Sequence, residues 1–194
     1  MERITYRLIR VENEENQDLD ACKLLGAPVL AKGLFEALHL KDTEYFIAQI
    51  NCAQVKNPPF PEKGWLYFFL DVESLKPRVV YTEKDPAEVI DDINEPFDAD
   101  AYGDPTCLKM EFPGEKGSFL FGENDPDIGL EGSTGTAGKL TLLQIDALAL
   151  PQGKQKPLRF GDFGFGDGHW VFLIEEKALE KRDFRHVEFV EVES

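Results

Sequence analysis

Gly64-Trp65-Leu66-Tyr67-Phe68-Phe69-Leu70 is an almost unbroken apolar run closed by Asp71. A run this short, rich in aromatic residues and opened by glycine, reads as a β-strand buried on both faces. It has an echo later in the chain, Gly168-His169-Trp170-Val171-Phe172-Leu173-Ile174. Outward from this pair, further echoes follow in the same order. Leu24-Leu25-Gly26 returns as Leu120-Phe121-Gly122, and Phe46-Ile47-Ala48-Gln49-Ile50-Asn51 returns as Thr141-Leu142-Leu143-Gln144-Ile145-Asp146. Arg78-Val79-Val80-Tyr81-Thr82-Glu83 returns as His186-Val187-Glu188-Phe189-Val190-Glu191. The offset is 96 at the Leu-Gly step, 95 at the Gln step and 105 at the Trp step, so the second copy carries an insertion between Gln144 and Trp170. The reading is one domain over residues 1–194, internally duplicated, with repeat one about 1–98 and repeat two about 105–194.

Local patterns fill in the remaining elements. Ile4–Ile9, Glu44–Asn51, Val79–Thr82, Leu108–Phe112, Leu140–Asp146 and Phe184–Val192 read as strands from alternation and β-branched or aromatic content. Gly26, Pro28 and Gly33 break any regular element across Lys23–Gly33. Asp85-Pro86 opens a helix, with Asp85 as N-cap, Pro86 in the first turn, and Ala87, Ile90 and Ile93 on its inner face. Glu176–Lys181 reads as one or two helical turns. Val55–Gly64 and Leu150–Gly168 are Pro- and Gly-rich connections, and Asn94–Thr106 is the link between the repeats. Strands mixed with short helices, without regular βαβ spacing, predict an α+β fold: two intertwined repeats on antiparallel or mixed β-sheet with short helices.

A chain of 194 residues buries roughly 70% of its unfolded surface, and 42% hydrophobic content with 15 Phe supports a packed core. No apolar run approaches the length of a membrane span, and the first residues lack the basic-then-apolar order of a signal peptide. Cys22, Cys52 and Cys107 form no CxxC pair, so neither a zinc knuckle nor a disulfide framework is indicated. The expectation is a cytosolic protein with buried or idle thiols and no cofactor. Net charge is −16, and Glu83 to Glu131 alone holds fifteen acids against Lys84, Lys109 and Lys116. Such a surface repels nucleic acid and anionic membrane and attracts a basic protein partner. Glu123, Asp125, Asp127 and Glu131 are the candidate acidic partner surface, the alternative being plain solubility.

Several pieces together resemble the YwqG-like family, a bacterial domain of unknown function. They are Lys23-Leu24-Leu25-Gly26 with Pro28, the Gln-Ile-Asn and Gln-Ile-Asp steps at 49–51 and 144–146, and Gly64 to Phe69. Gly166 to Phe172 and Leu179 to Val187 belong to the same set. The resemblance runs from about residue 22 to the C-terminus. It implies an α+β fold of two related halves that embrace each other, and no assigned catalytic residue. It also implies the company of toxin–immunity genes, and hence an immunity role. The chain departs from the family pattern around Glu123 to Glu131, which is unusually acidic.

Gln49 and Gln144 hold equivalent strand positions and could meet across a pseudo-two-fold axis, or each could satisfy nearby backbone. The glycines of Gly161 to His169 lack dinucleotide spacing and lead into a strand, and Asp162 and Asp167 would repel phosphate. Counted from Asp125, an EF-hand would need glycine and glutamate where Leu130 and Thr136 stand, so no metal site is assigned. His169 lies near Asp167, but no Ser or Cys beside them in sequence completes a triad. Trp65 and Trp170 read as core. Three readings follow. The first is a non-enzymatic interaction protein, of the immunity type, taking a basic partner on the acidic segment. The second is a small-ligand binder or unrecognised enzyme with a cleft between the repeats near Gln49, Gln144, Asp146 and His169. A structural protein without a discrete site is the third.

Overall fold

The computed structural model describes residues 2–11, 19–91, 93–94, 107–114, 118–130, 136–146 and 168–192. Among them the N-terminal part forms β1 (Ile4–Thr5), β2 (Arg7–Arg10), β3 (Lys23–Leu24), β4 (Val29–Ala31), β5 (Glu44–Asn51), β6 (Trp65–Asp71), β7 (Lys76–Thr82) and β8 (Pro86–Val89). The C-terminal part forms β9 (Leu108–Glu111), β10 (Phe119–Gly122), β11 (Lys139–Asp146), β12 (His169–Glu175) and β13 (Glu188–Val192). Two five-residue helices, Leu34–Leu38 and Glu176–Glu180, serve as connectors. The strands make a six-stranded sheet in the order β2-β9-β3-β5-β6-β7, a five-stranded sheet β1-β10-β11-β12-β13 and a two-stranded sheet β4-β8.

The α+β expectation is therefore corrected to a nearly all-β fold, in which every strand pair among the described residues is antiparallel. The principal overturned element is the helix opened at Asp85-Pro86. Pro86–Val89 instead pairs with β4. Proline suits the first residue of an edge strand as well as a first helical turn. The broken stretch Lys23–Gly33 likewise carries β3 and β4. The inter-repeat link and the connection Leu150–Gly168, with its glycine-rich loop, lie almost wholly outside the described residues.

The two large sheets enclose the main core. Phe68 of β6 meets Phe172 of β12 edge to face, with ring centroids 5.3 Å apart, and Phe172 also meets Phe189 at 5.3 Å. Leu66, Leu70, Ile50, Leu143, Ile145 and Trp170 complete this layer. The opposite face of the six-stranded sheet is covered as well. Trp65, Tyr67 and Phe69 pack there with Leu30 and Phe46, and with Leu34, Phe35, Ile90 and Ile93. Burial on both faces explains why β6 reads as a continuous apolar run. The amide of Asn94 accepts from Phe46 N at 3.0 Å and donates to Phe46 O at 3.3 Å, standing in for a neighbouring strand.

Two extended segments stitch the sheets together. Residues 4–10 place β1 in one sheet and β2 in the other, with buried Tyr6 between them. Residues 108–114 run antiparallel to them: Arg7 faces Glu111 in the β2–β9 ladder, and Gly114 N donates to Thr5 O at 2.9 Å. At the far ends of the sheets, β7 and β13 are edge strands. The 3-10 turn Phe184–His186 packs on β7 there, with Phe184 against the Tyr81 ring at 5.6 Å.

The registers of the two sheets correspond. Gln49 faces Lys23 and Tyr67, while Gln144 faces Phe119 and Val171. The β5–β6 ladder shifts between Phe46 and Ala48, the β11–β12 ladder between Thr141 and Leu143. Leu25 and Phe121 both take the left-handed conformation, at φ 56° and 55°. Under this register the tryptophans are not counterparts. Asn51 faces Trp65 and Asp146 faces His169, so Trp170 corresponds to Leu66. A one-residue slip moves a side chain to the other face of a sheet. Trp65 accordingly packs in the outer layer and Trp170 in the central core.

Candidate functional site

Strand alternation separates the two glutamines. Ala48 and Ile50 point into the central core, so Gln49 lies on the outer face of the six-stranded sheet. There its Oε1 accepts from Val29 N at 2.7 Å, and its Nε2 donates to Leu19 O and Ala21 O at 3.3 Å each. Tyr67 donates to Val29 O at 2.7 Å, so the two side chains together clasp β4. Gln144 lies on the outer face of the other sheet, between Leu143 and Ile145 of the core. The two amides thus face away from each other across the core and form no common cleft. Asp146 and His169 do come together, as cross-strand partners on the face that carries Gln144. Asp146 N donates to Ser118 Oγ at 3.0 Å. His169 Nδ1 is buried and finds no hydrogen-bond partner among the described residues.

The acidic segment holds one of the chain's own cations. Arg3 donates from Nε to Glu123 O at 3.0 Å and from Nη2 to Asn124 O at 2.7 Å. Its Nη1 lies 3.4 Å from Asp125 Oδ1, and its guanidinium stands over the Phe119 ring at 5.3 Å. Asp125 is buried and also caps the turn Pro126–Ile128 by accepting from Asp127 N at 3.2 Å. Glu123 and Asp127 remain exposed, and Glu131 lies outside the described residues.

A feature without a sequence signal is an open groove of about 410 Å³ beside β7. Its floor begins with a conflict. Glu44 and Asp71, at the ends of β5 and β6, are direct cross-strand partners and both are buried. Like charges placed opposite each other destabilise a sheet unless compensated. Each carboxylate receives a cation from a different element. Arg78 of β7 grips Glu44 with Nε at 2.6 Å and Nη2 at 2.9 Å, while its Nη1 donates to Leu38 O at 2.9 Å. Lys41 donates from its backbone N to Glu44 at 2.8 Å and from Nζ to Asp71 at 3.0 Å. The forked Arg–carboxylate geometry is the stronger of the two pairings. Asp71 also accepts from Glu73 N and Ser74 N at 3.1 and 3.2 Å, closing the β6–β7 turn.

Burial pushes the Asp71 carboxyl up, but the Lys41 ammonium and the Ser74 and Glu73 donors outweigh it and hold the group at about 2. The folded value lies below the unfolded one, so the stabilisation is fully present above the ordinary carboxylate range and is lost as pH falls towards 2. Replacing Asp71 by Asn is expected to flatten the fall in Tm between pH 4 and pH 2, as read by thermal unfolding. An unchanged slope in the variant would refute this assignment.

The rim of the groove is cationic too. Lys76 is exposed and makes no ion pair among the described residues. Arg185 comes from the distant turn and pairs with Asp183 through Nε at 2.8 Å and Nη2 at 2.6 Å. Phe184, Pro77 and Val79 supply apolar wall. None of these residues stands out in the sequence, because only the register of β5 on β6 and the docking of the 184–186 turn bring them together.

Elsewhere reactive chemistry is muted. Burial pushes the Cys22 and Cys52 thiols up to about 12, which suppresses the nucleophilic thiolate. Among the described residues no group of three or more His, Cys, Asp or Glu is placed to hold a metal ion, and no helix is long and apolar enough to cross a membrane. A search of curated proteins finds no match. The family model of a domain of unknown function (DUF1963) matches residues 22–123, which span β3 to β10 and every groove residue except those of the 184–186 turn. With more than half of its length matched, the chain belongs to the DUF1963 family.

Proposed function

We propose that this protein is a ligand-binding protein and that the groove beside β7 is its site. The observation that carries the reading is that the groove draws its wall from two distant parts of the chain: the 38–80 region and the turn at 184–185. Under the duplication read from the sequence, which the matching registers support, those parts belong to different halves. Ligand sites are concave, mix apolar wall with a few fixed polar groups, and favour junctions between structural units. Crystals soaked with mixed neutral, cationic and anionic fragments test it. Fragments are expected to gather between β7 and Phe184. A screen whose hits all avoid that groove would overturn the reading.

A second reading is an interaction protein, of the immunity type implied by the YwqG-like resemblance, that takes a basic partner on its acidic surface. It is supported by the seat that Glu123, Asn124 and Asp125 already make for a guanidinium, and by the net charge of −16. Cationic fragments collecting at residues 123–127, with the groove left empty, would favour it.

A further inference from the structure

We propose that the groove beside β7 receives an oxyanion, a phosphate or carboxylate group, held by Lys76 and Arg185. This deepens the ligand-binding reading above and rests on it. The sign of the charge is the first ground. In a chain of net charge −16, the groove presents Lys41, Lys76, Arg78 and Arg185 against Glu44 and Asp71. The two carboxylates are already answered, Glu44 by Arg78 and Asp71 by Lys41. Arg185 is answered by Asp183, so the charge left over at the groove is that of Lys76, and it is positive.

Donor capacity is the second ground. A guanidinium carries five N–H donors in a planar fork. Arg185 spends Nε and one side of Nη2 on Asp183, which leaves the Nη1 pair and one Nη2 hydrogen. An ammonium brings three donors, and Lys76 has no ion pair among the described residues. An oxyanion offers several lone pairs to such a set, and charge-assisted bonds of this kind are the stronger class. A neutral ligand would leave the Lys76 ammonium without a counter-charge and the spare Arg185 donors unused.

Fixed geometry is the third ground. Arg78 is clamped on three sides by Glu44 and Leu38 O, so the floor of the groove is fixed in place. Phe184 and Pro77 provide apolar surface for the body of a small organic acid or phosphate ester. Lys76 lies on β7 and Arg185 in the 184–186 turn, so an anion bridging them would also tie that turn to the edge strand.

The test uses the full chain, isotopically labelled, in low salt, titrated separately with inorganic phosphate and with glutarate. Saturable shifts are expected at Lys76, Arg78 and Arg185 with at least one of the two, and which one distinguishes the phosphate from the carboxylate source. Lys76→Gln and Arg185→Gln should each weaken binding about tenfold, the effect of losing one charge-assisted hydrogen bond. Lys76→Gln touches no ion pair among the described residues, so its Tm should not change, which separates lost binding from lost structure. Raising salt to 0.5 M should weaken binding further. No saturable shift with either anion, or unaltered affinity in both variants, would overturn the proposal. If neutral or cationic fragments still occupy the groove in that case, the ligand-binding reading survives without the oxyanion. If no fragment does, both fail.

Discussion

Phe172→Ala is expected to destabilise the protein by about 3–5 kcal/mol, the range for truncating a fully buried phenylalanine. For a chain of this size that corresponds to a loss of about 6–20 °C in Tm. The ring has no accessible surface and touches Phe68 of the facing sheet and Phe189 of its own. Its neighbours sit on two sheets held apart by their own packing, so the space left by the ring closes poorly. Phe189→Ala is the control: Phe189 is only partly buried at the margin of the same cluster, and its loss should cost clearly less. Paired denaturant and thermal unfolding curves measure both. If the two variants lose equal stability, the core is not centred on the Phe68–Phe172 contact.

Gly114→Ala carries the second large effect, at least about 3 kcal/mol, above the usual cost of overpacking. A Cβ at Gly114 would fall inside the van der Waals shell of the Tyr6 backbone. The obstacle is main chain, so no rotamer change relieves it. The two crossing segments would have to part. That would remove the bond from Gly114 N to Thr5 O and the one from Thr5 Oγ1 to Gly114 O. Amide exchange reads this directly: the protection of Tyr6 N, which donates to Ser118 O at 3.2 Å, should collapse while that of β6 persists. Full protection at Tyr6 in the variant would show that the crossing tolerates the extra methyl.

How much of this was legible in the sequence depended on the kind of pattern. The long central strands were readable because apolar runs closed by polar residues have few other homes. Their relative register was not. A strand buried on both faces shows no alternation, so residue type alone matches Trp65 to Trp170, and only the ladders place Trp65 opposite Asn51 as His169 lies opposite Asp146. Asp85-Pro86 misled because a helix start and the entry to an edge strand share the same chemistry. Ile90 and Ile93 do face the apolar layer, but from the end of a short strand and a turn rather than from a helix.

The candidate residues divide in the same way. Gln49 is explained by backbone donors and acceptors around β4, a local need that its strand position already hinted at. The acidic run predicts an outward Asp125, yet it is buried and bound to Arg3, a partner more than a hundred residues away that no local pattern indicates. The groove was invisible for the same reason. Glu44 and Asp71 are ordinary strand ends until pairing sets them side by side, and Arg185 is an ordinary surface residue until its turn docks beside β7.

The crossing of residues 4–10 between the sheets has a consequence for synthesis on the ribosome. Ile4 is made well before its ladder partner Leu120, and the Tyr6 hydroxyl donates to Gln144 O, 138 residues further on. At about 5–20 residues per second, the first of these partners emerges about 6–23 s later. Until then residues 4–10 lack their ladder partners, so this segment waits for chain made much later before it is secured.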